Sequence, residues 1–177
     1  MRDLVRRASV ALLLTCLFAP APAPARQRAG SPAAVVSAYA RFHLQRKDLA
    51  YMCRECVERE KAWFTPELYR LLVAEMDRYD KAAAENGGPD NYKPFVAGDV
   101  FSGREDTARS FRVGRVKQAA GRATVQVTWF FGEEPKNPVW IVLVRRGREW
   151  LIDDVIYSAR DTLVDMLNRP EYDSYGT

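Results

Sequence analysis

The spacing of apolar residues changes character once along this chain, and that change limits the fold more than any other feature. Between Val35 and Tyr79 apolar side chains recur every three or four residues; from about Ser110 onward they alternate. The first spacing marks one face of a helix and the second one face of a strand. Helices first and antiparallel strands after predict an α+β domain.

Local signals set the boundaries. Ser31-Pro32 reads as an N-cap followed by a proline at the first helical position. With Val35, Tyr39 and Phe42 behind it, this predicts a helix over 32–46. Asp48 can cap a second helix carrying Leu49, Met52, Cys53 and Cys56 along one side. Thr65-Pro66-Glu67 repeats the cap-proline signature and opens a third helix, with Leu68, Leu71, Leu72, Met76 and Tyr79 inward. Asn86-Gly87-Gly88-Pro89 ends it. Residues 87–109 read as a long irregular connection, a kind of segment that is often functional. Strands are expected over 110–118, 122–131, 138–146 and 149–157, with turns at Gly121, Glu133–Pro138 and Arg146-Gly147. A short final helix over 160–168 places Leu163, Val164 and Leu167 on one side.

The last hairpin invites a register. With Arg146-Gly147 as a two-residue turn, Leu143 faces Trp150, Ile141 faces Ile152 and Val139 faces Asp154. On the other face Val142 meets Leu151 and Trp140 meets Asp153. Strand alternation then points Asp153 and Asp154 opposite ways. Both faces of the sheet come out largely apolar. One is expected under the helices, and the other needs cover from more chain, a homodimer through the sheet, or a ligand. An unpaired Asp154 among Val139, Ile141, Leu143, Trp150 and Ile152 would be costly. The spacing therefore favours a structural aspartate taking backbone amides at a helix start over a catalytic one.

The first 25 residues read as an export signal. Arg2, Arg6 and Arg7 precede an apolar run, Val10–Ala19, far shorter than the roughly 20 residues a membrane span needs. Ala23-Pro24-Ala25 before Arg26 is the cleavage site that leaves no proline just after the cut. Leu13-Leu14-Thr15-Cys16 offers a lipoprotein alternative, with Cys16 lipidated. A periplasmic or secreted product is expected, with a lipid-anchored one as the rival. The formal charge of +4 loses Arg2, Arg6, Arg7 and Asp3 with the signal and becomes +2. That field is too weak to gather nucleic acid, so no nucleic-acid partner is expected.

Catalytic signatures are sparse. His43 is the chain's one histidine, on the inward side of the first helix, so no His-rich metal site and no metal or cofactor is expected. The sequence holds no GxSxG elbow, Walker loop or Rossmann fingerprint. Cys53-Arg54-Glu55-Cys56 is the sharpest local motif. In an oxidising compartment it predicts a local disulfide first, two buried thiols second and catalytic exchange third.

Several short stretches together resemble a known family. They are Pro94-Phe95 followed by Asp99, Ser110-Phe111-Arg112-Val113-Gly114, Ala123-Thr124-Val125-Gln126-Val127, and Trp150-Leu151-Ile152-Asp153-Asp154-Val155 before a leucine-bearing helix. In order and spacing they resemble the exported domain of unknown function 3828, within the nuclear transport factor two-like (cystatin-like cone) superfamily. The resemblance covers 34–168 and departs from the family at Cys53 and Cys56. It implies a cone with helices on a curved antiparallel sheet of about four strands, a cavity between them, and no activity that could be carried over. The expected organisation is a signal at 1–25, a polar lead-in at 26–33, one cone domain at 34–168 and a tail at 169–177. The functional expectation is a non-enzymatic binding module for a small molecule or an envelope protein. Its candidate ligand residues are Asp154, Asp153, Trp140, Asp99 and His43. The alternatives are a cone-fold enzyme with a cavity carboxylate as general base, and an immunity or assembly factor.

Overall fold

The computed structural model describes residues 28–45, 53–88, 98–103, 108–132 and 138–169. The signal segment with Cys16, Ala25 and Arg26, the expected helix start at Asp48, Pro94-Phe95 and the end of the tail lie outside the described residues. Helix α1 spans Pro32–His43, α2 Arg54–Glu60, α3 Pro66–Glu85 and α4 Leu163–Leu167, with a 3-10 turn at Lys61–Trp63. Strands β1 Ser110–Ala119, β2 Arg122–Phe130, β3 Val139–Arg146 and β4 Glu149–Ile156 form one antiparallel meander in the order β1-β2-β3-β4, and the sheet is not closed. The architecture is α+β, as the change of period predicts.

The two proline-bearing caps form as the sequence dictates. The Ser31 side chain accepts from Ala34 N at 3.3 Å, and Thr65 Oγ1 accepts from Leu68 N at 3.2 Å. Each satisfies an amide that the first turn leaves without a helical partner. Helix α1 stops at His43 rather than 46. In the second helix the correction is larger. Cys53 is the extended N-cap of α2, so the cysteine pair straddles the helix start instead of lying inside it. Its side chain accepts from Cys56 N, which holds the first turn.

The core lies between the sheet and the helices. Ala123, Val125, Val127 and Trp129 of β2 and Val139, Ile141 and Leu143 of β3 meet Val35, Val36, Tyr39, Leu68 and Leu72. Helix α1 lies on β1 and β2, and α3 on β4. Phe64 bridges to Ile152 and Thr65 N donates to Ile152 O at 2.8 Å, which covers the free edge of β4 for one residue.

The β3–β4 register departs from the expected one twice. Arg146 pairs with Glu149, so the turn is Gly147-Arg148. Gly147 has φ +59° at the first central position, where a type II′ turn places its glycine. Leu143 therefore faces Ile152, not Trp150. A bulge follows between Val142 and Leu143: Val142 faces Asp154, Ile141 faces Val155 and Trp140 faces Ile156, leaving Asp153 as the extra residue. Ile152 and Val155 both enter the core, while Asp153 and Asp154 both leave it half-buried. The two aspartates do not point to opposite faces, and Asp154 does not sit among Val139, Ile141 and Leu143.

Candidate functional site

The candidate ligand residues separate into three places. His43 and Asp99 meet in the core, Asp154 caps α4, and Trp140 and Asp153 lie on the outer face of the sheet.

The core cluster is the most polar part of the interior. His43 is fully enclosed; its Nδ1 lies 3.0 Å from Glu60 Oε1 and its Nε2 2.9 Å from Asp99 Oδ2. Tyr39, one helical turn before His43, donates its hydroxyl to Glu60 Oε2 at 2.8 Å. Asp99 Oδ1 accepts from Phe101 N at 3.0 Å, which fixes the carboxylate. Burial pulls the imidazole toward the neutral form, but the charge and hydrogen bond of Asp99, joined by those of Glu60, outweigh it. The His43 pKa rises from 6.5 to about 9. At neutral pH the ring is an imidazolium donating from both nitrogens. The space beside this cluster, lined by Cys56, Glu60, Phe64 and Asp99, is a void of about 10 Å³. That is room for one water and not for a substrate. Among the described residues no group of His, Cys, Asp and Glu is arranged to hold a metal ion, and no helix is long and apolar enough to cross a membrane.

Asp154 Oδ1 accepts from Val155 N at 2.8 Å and from Val164 N at 2.9 Å, the second amide lying in the first turn of α4. Burial raises its pKa, and these amide bonds with Thr162 only partly counter that, while Asp165 adds to the rise. The carboxyl thus serves as an acceptor whose charge adds nothing favourable. Asparagine keeps the same single acceptor oxygen. Asp154→Asn should change stability by less than about 1 kcal/mol, whereas Asp154→Ala strands two amides and should cost about 1–3 kcal/mol. Equilibrium urea unfolding of both variants checks this; equal losses would show that the charge itself matters.

The outer face carries the larger opening. Trp140 is half-exposed there, while Val142 beside it is buried although it stands outside the main core cluster. An open groove of about 420 Å³ runs past Lys117, Thr124, Trp140, Ile156 and Tyr157. That volume falls in the range of small-molecule sites. Lys117 Nζ sits 5.1 Å from the centre of the Trp140 ring, over its face. Farther along the same face Arg122 Nη1 reaches Asp153 Oδ2 at 3.4 Å. Tyr157 joins the groove to the interior: it lines the groove, and its hydroxyl donates to Val100 O. Burial, then Asp99 and Asp154, push that phenol well above its usual range.

Lys117 and Glu60 are not among the residues that the sequence singles out, and Tyr39 enters there only as an inward position of the first helix. Tyr39 had a signal, since it stands four residues before His43 on one helical face. Glu60 shares a face with Val57 and leads into Trp63 and Phe64, a weaker sign. Scans of family models, curated proteins and solved structures find no match to the chain.

Proposed function

We propose that this chain is an exported binding module that takes a flat apolar ligand with an acidic group on the outer face of its sheet. The observation that carries the reading is the groove of about 420 Å³ floored by Trp140 with the Lys117 ammonium above the ring. An indole face and Ile156 favour an aromatic or ring-shaped body, and the Lys117 ammonium above that face favours a carboxylate or sulfonate. Asp99 and His43 then serve the fold and not the ligand, because the void beside them is too small to admit one. The same point favours binding over a cone-fold enzyme using those groups. Membership of the exported cone family remains part of this proposal, supported by the order of helices followed by four antiparallel strands. Export itself rests on the Arg-rich start and the Ala25–Arg26 cleavage site, so the mature product should begin at Arg26 by mass spectrometry; an unprocessed Met1 or a lipidated Cys16 would overturn that.

Anilinonaphthalene sulfonate is a suitable probe, being aromatic at one end and anionic at the other. Titration should show saturable binding with energy transfer from tryptophan. Trp140→Ala and Lys117→Glu should each weaken it at least about tenfold, equivalent to about 1.4 kcal/mol. Unchanged binding in both variants would remove the groove from consideration.

A further inference from the structure

The geometry points to the Cys53–Cys56 bridge as an exchangeable redox couple whose substrates are low-molecular-weight thiols and disulfides. The disulfide joins residues only three apart. It ties no two elements of the fold together, and chain entropy gives so short a loop the least stabilisation. Both cysteines are half-buried, so the bridge is neither sealed in the core nor fully exposed.

The two sulfurs stand in unequal settings. Cys56 lines the small void together with Glu60 and Asp99, carboxyl groups exposed by only 1% and 3%. Two carboxylates against the single His43 cation leave net negative charge beside Cys56, which disfavours a thiolate there. Cys53 does not line that void, and its Sγ accepts the Cys56 amide at 3.1 Å, a bond that strengthens when the sulfur is anionic. Cys53 is therefore the sulfur that carries the thiolate and enters the mixed disulfide, and Cys56 is the one that resolves it.

The exchange balances as follows. A thiolate RS⁻ attacks Cys53 Sγ, the Cys53–Cys56 bond breaks, and its electron pair passes to Cys56 Sγ, which takes up a proton. A second RS⁻ attacks the substrate sulfur of the mixed disulfide, releasing RSSR and the Cys53 thiolate, which is protonated in turn. One protein disulfide and two RSH become one dithiol and RSSR. The reverse direction, driven by RSSR, restores the bridge in an oxidising compartment. This couple stands apart from the sheet groove.

The test uses the full mature chain and glutathione. After equilibration at graded ratios of reduced to oxidised glutathione, trapped thiols are counted by mass spectrometry while circular dichroism reports the fold. The expected result is a reversible transition within the range of ratios with an unchanged spectrum. A bridge that stays oxidised at every ratio until the protein is unfolded, or that unfolds the domain when reduced, would show a structural staple and overturn the proposal. In the reduced protein at pH 7, limiting iodoacetamide should label Cys53 at least about tenfold faster than Cys56. Equal rates or a faster Cys56 would overturn the assigned roles. Glu60→Gln should narrow the ratio; should that variant fail to fold, the wild-type ratio and glutathione transition still decide.

Discussion

Folded stability should fall by about 3 kcal/mol as pH rises from about 6 to about 10, because His43 must give up its proton inside the core. The ring titrates near 6.5 in the unfolded chain and near 9 in the folded one. Its contribution is therefore complete below about 6.5, erodes between the two values and is gone above about 9. The cause is geometric: an enclosed imidazolium is held between Glu60 and Asp99 at 3.0 and 2.9 Å. Asp99→Asn removes one of the two charges and leaves the cation half-compensated. It should cost about 3–5 kcal/mol at pH 7, the range for breaking a buried pair, and it should flatten the pH profile. That is a large share of the roughly 5–15 kcal/mol that holds a domain together. Denaturant unfolding at pH 6, 8 and 10 measures both effects. A wild-type midpoint that does not move over this range would mean that His43 is neutral in the fold.

Trp63→Ala should be as damaging, at about 3–5 kcal/mol, while Trp140→Ala should cost only about 1 kcal/mol. Trp63 is 1% exposed and sits on the 3-10 turn, edge-on to Tyr39 with ring centres 5.7 Å apart. It also packs on Phe42 at 6.0 Å, so its removal leaves a cavity under α1 that rigid neighbours cannot close. Trp140 is only partly buried, lies outside the core cluster and lines the groove on the outer face. Thermal unfolding of the two variants separates them, and similar losses would place Trp140 in the core. The contrast matters for the binding test, since a tenfold loss of probe in a fully folded Trp140→Ala variant reports the site and not the fold.

The sequence is most informative where the signal is local. Ser31-Pro32 and Thr65-Pro66 each hold a cap and a pre-set φ within three residues, so both helix starts are legible, and strand alternation places all four strands within two residues. The register of β3 and β4 is not legible to the same degree. Arg146-Gly147 and Gly147-Arg148 are both two-residue turns on paper, and only the placement of glycine's positive φ at the first central position separates them. The bulge at Asp153 has no mark at all, because Ile152 and Val155 are equally apolar under either spacing. The core cluster is hidden for another reason. His43 and Asp99 are 56 residues apart, and Asp99 stands in a stretch whose sequence has neither helical nor strand periodicity. Glu60 looks like any other acid in Arg-Glu-Cys-Val-Glu-Arg-Glu until the chain folds over it.

The other bulge, in β1, bears on how copies of this chain associate. Val113 pairs with Val127 but Val116 pairs with Val125, so Gly114 and Arg115 together face Gln126. A side chain on Gly114 would meet Gln126 Oε1 at 2.9 Å, and that oxygen instead takes the Arg115 amide at 3.4 Å. The kink falls midway along an exposed edge that also carries Arg112 and Lys117. A second copy laid against β1 would find its run of rungs broken after about four residues and would meet like charges. Growth of the sheet from molecule to molecule is thereby checked along β1, and a dimer that avoids this edge by joining face to face over Trp140 would compete with whatever the groove holds.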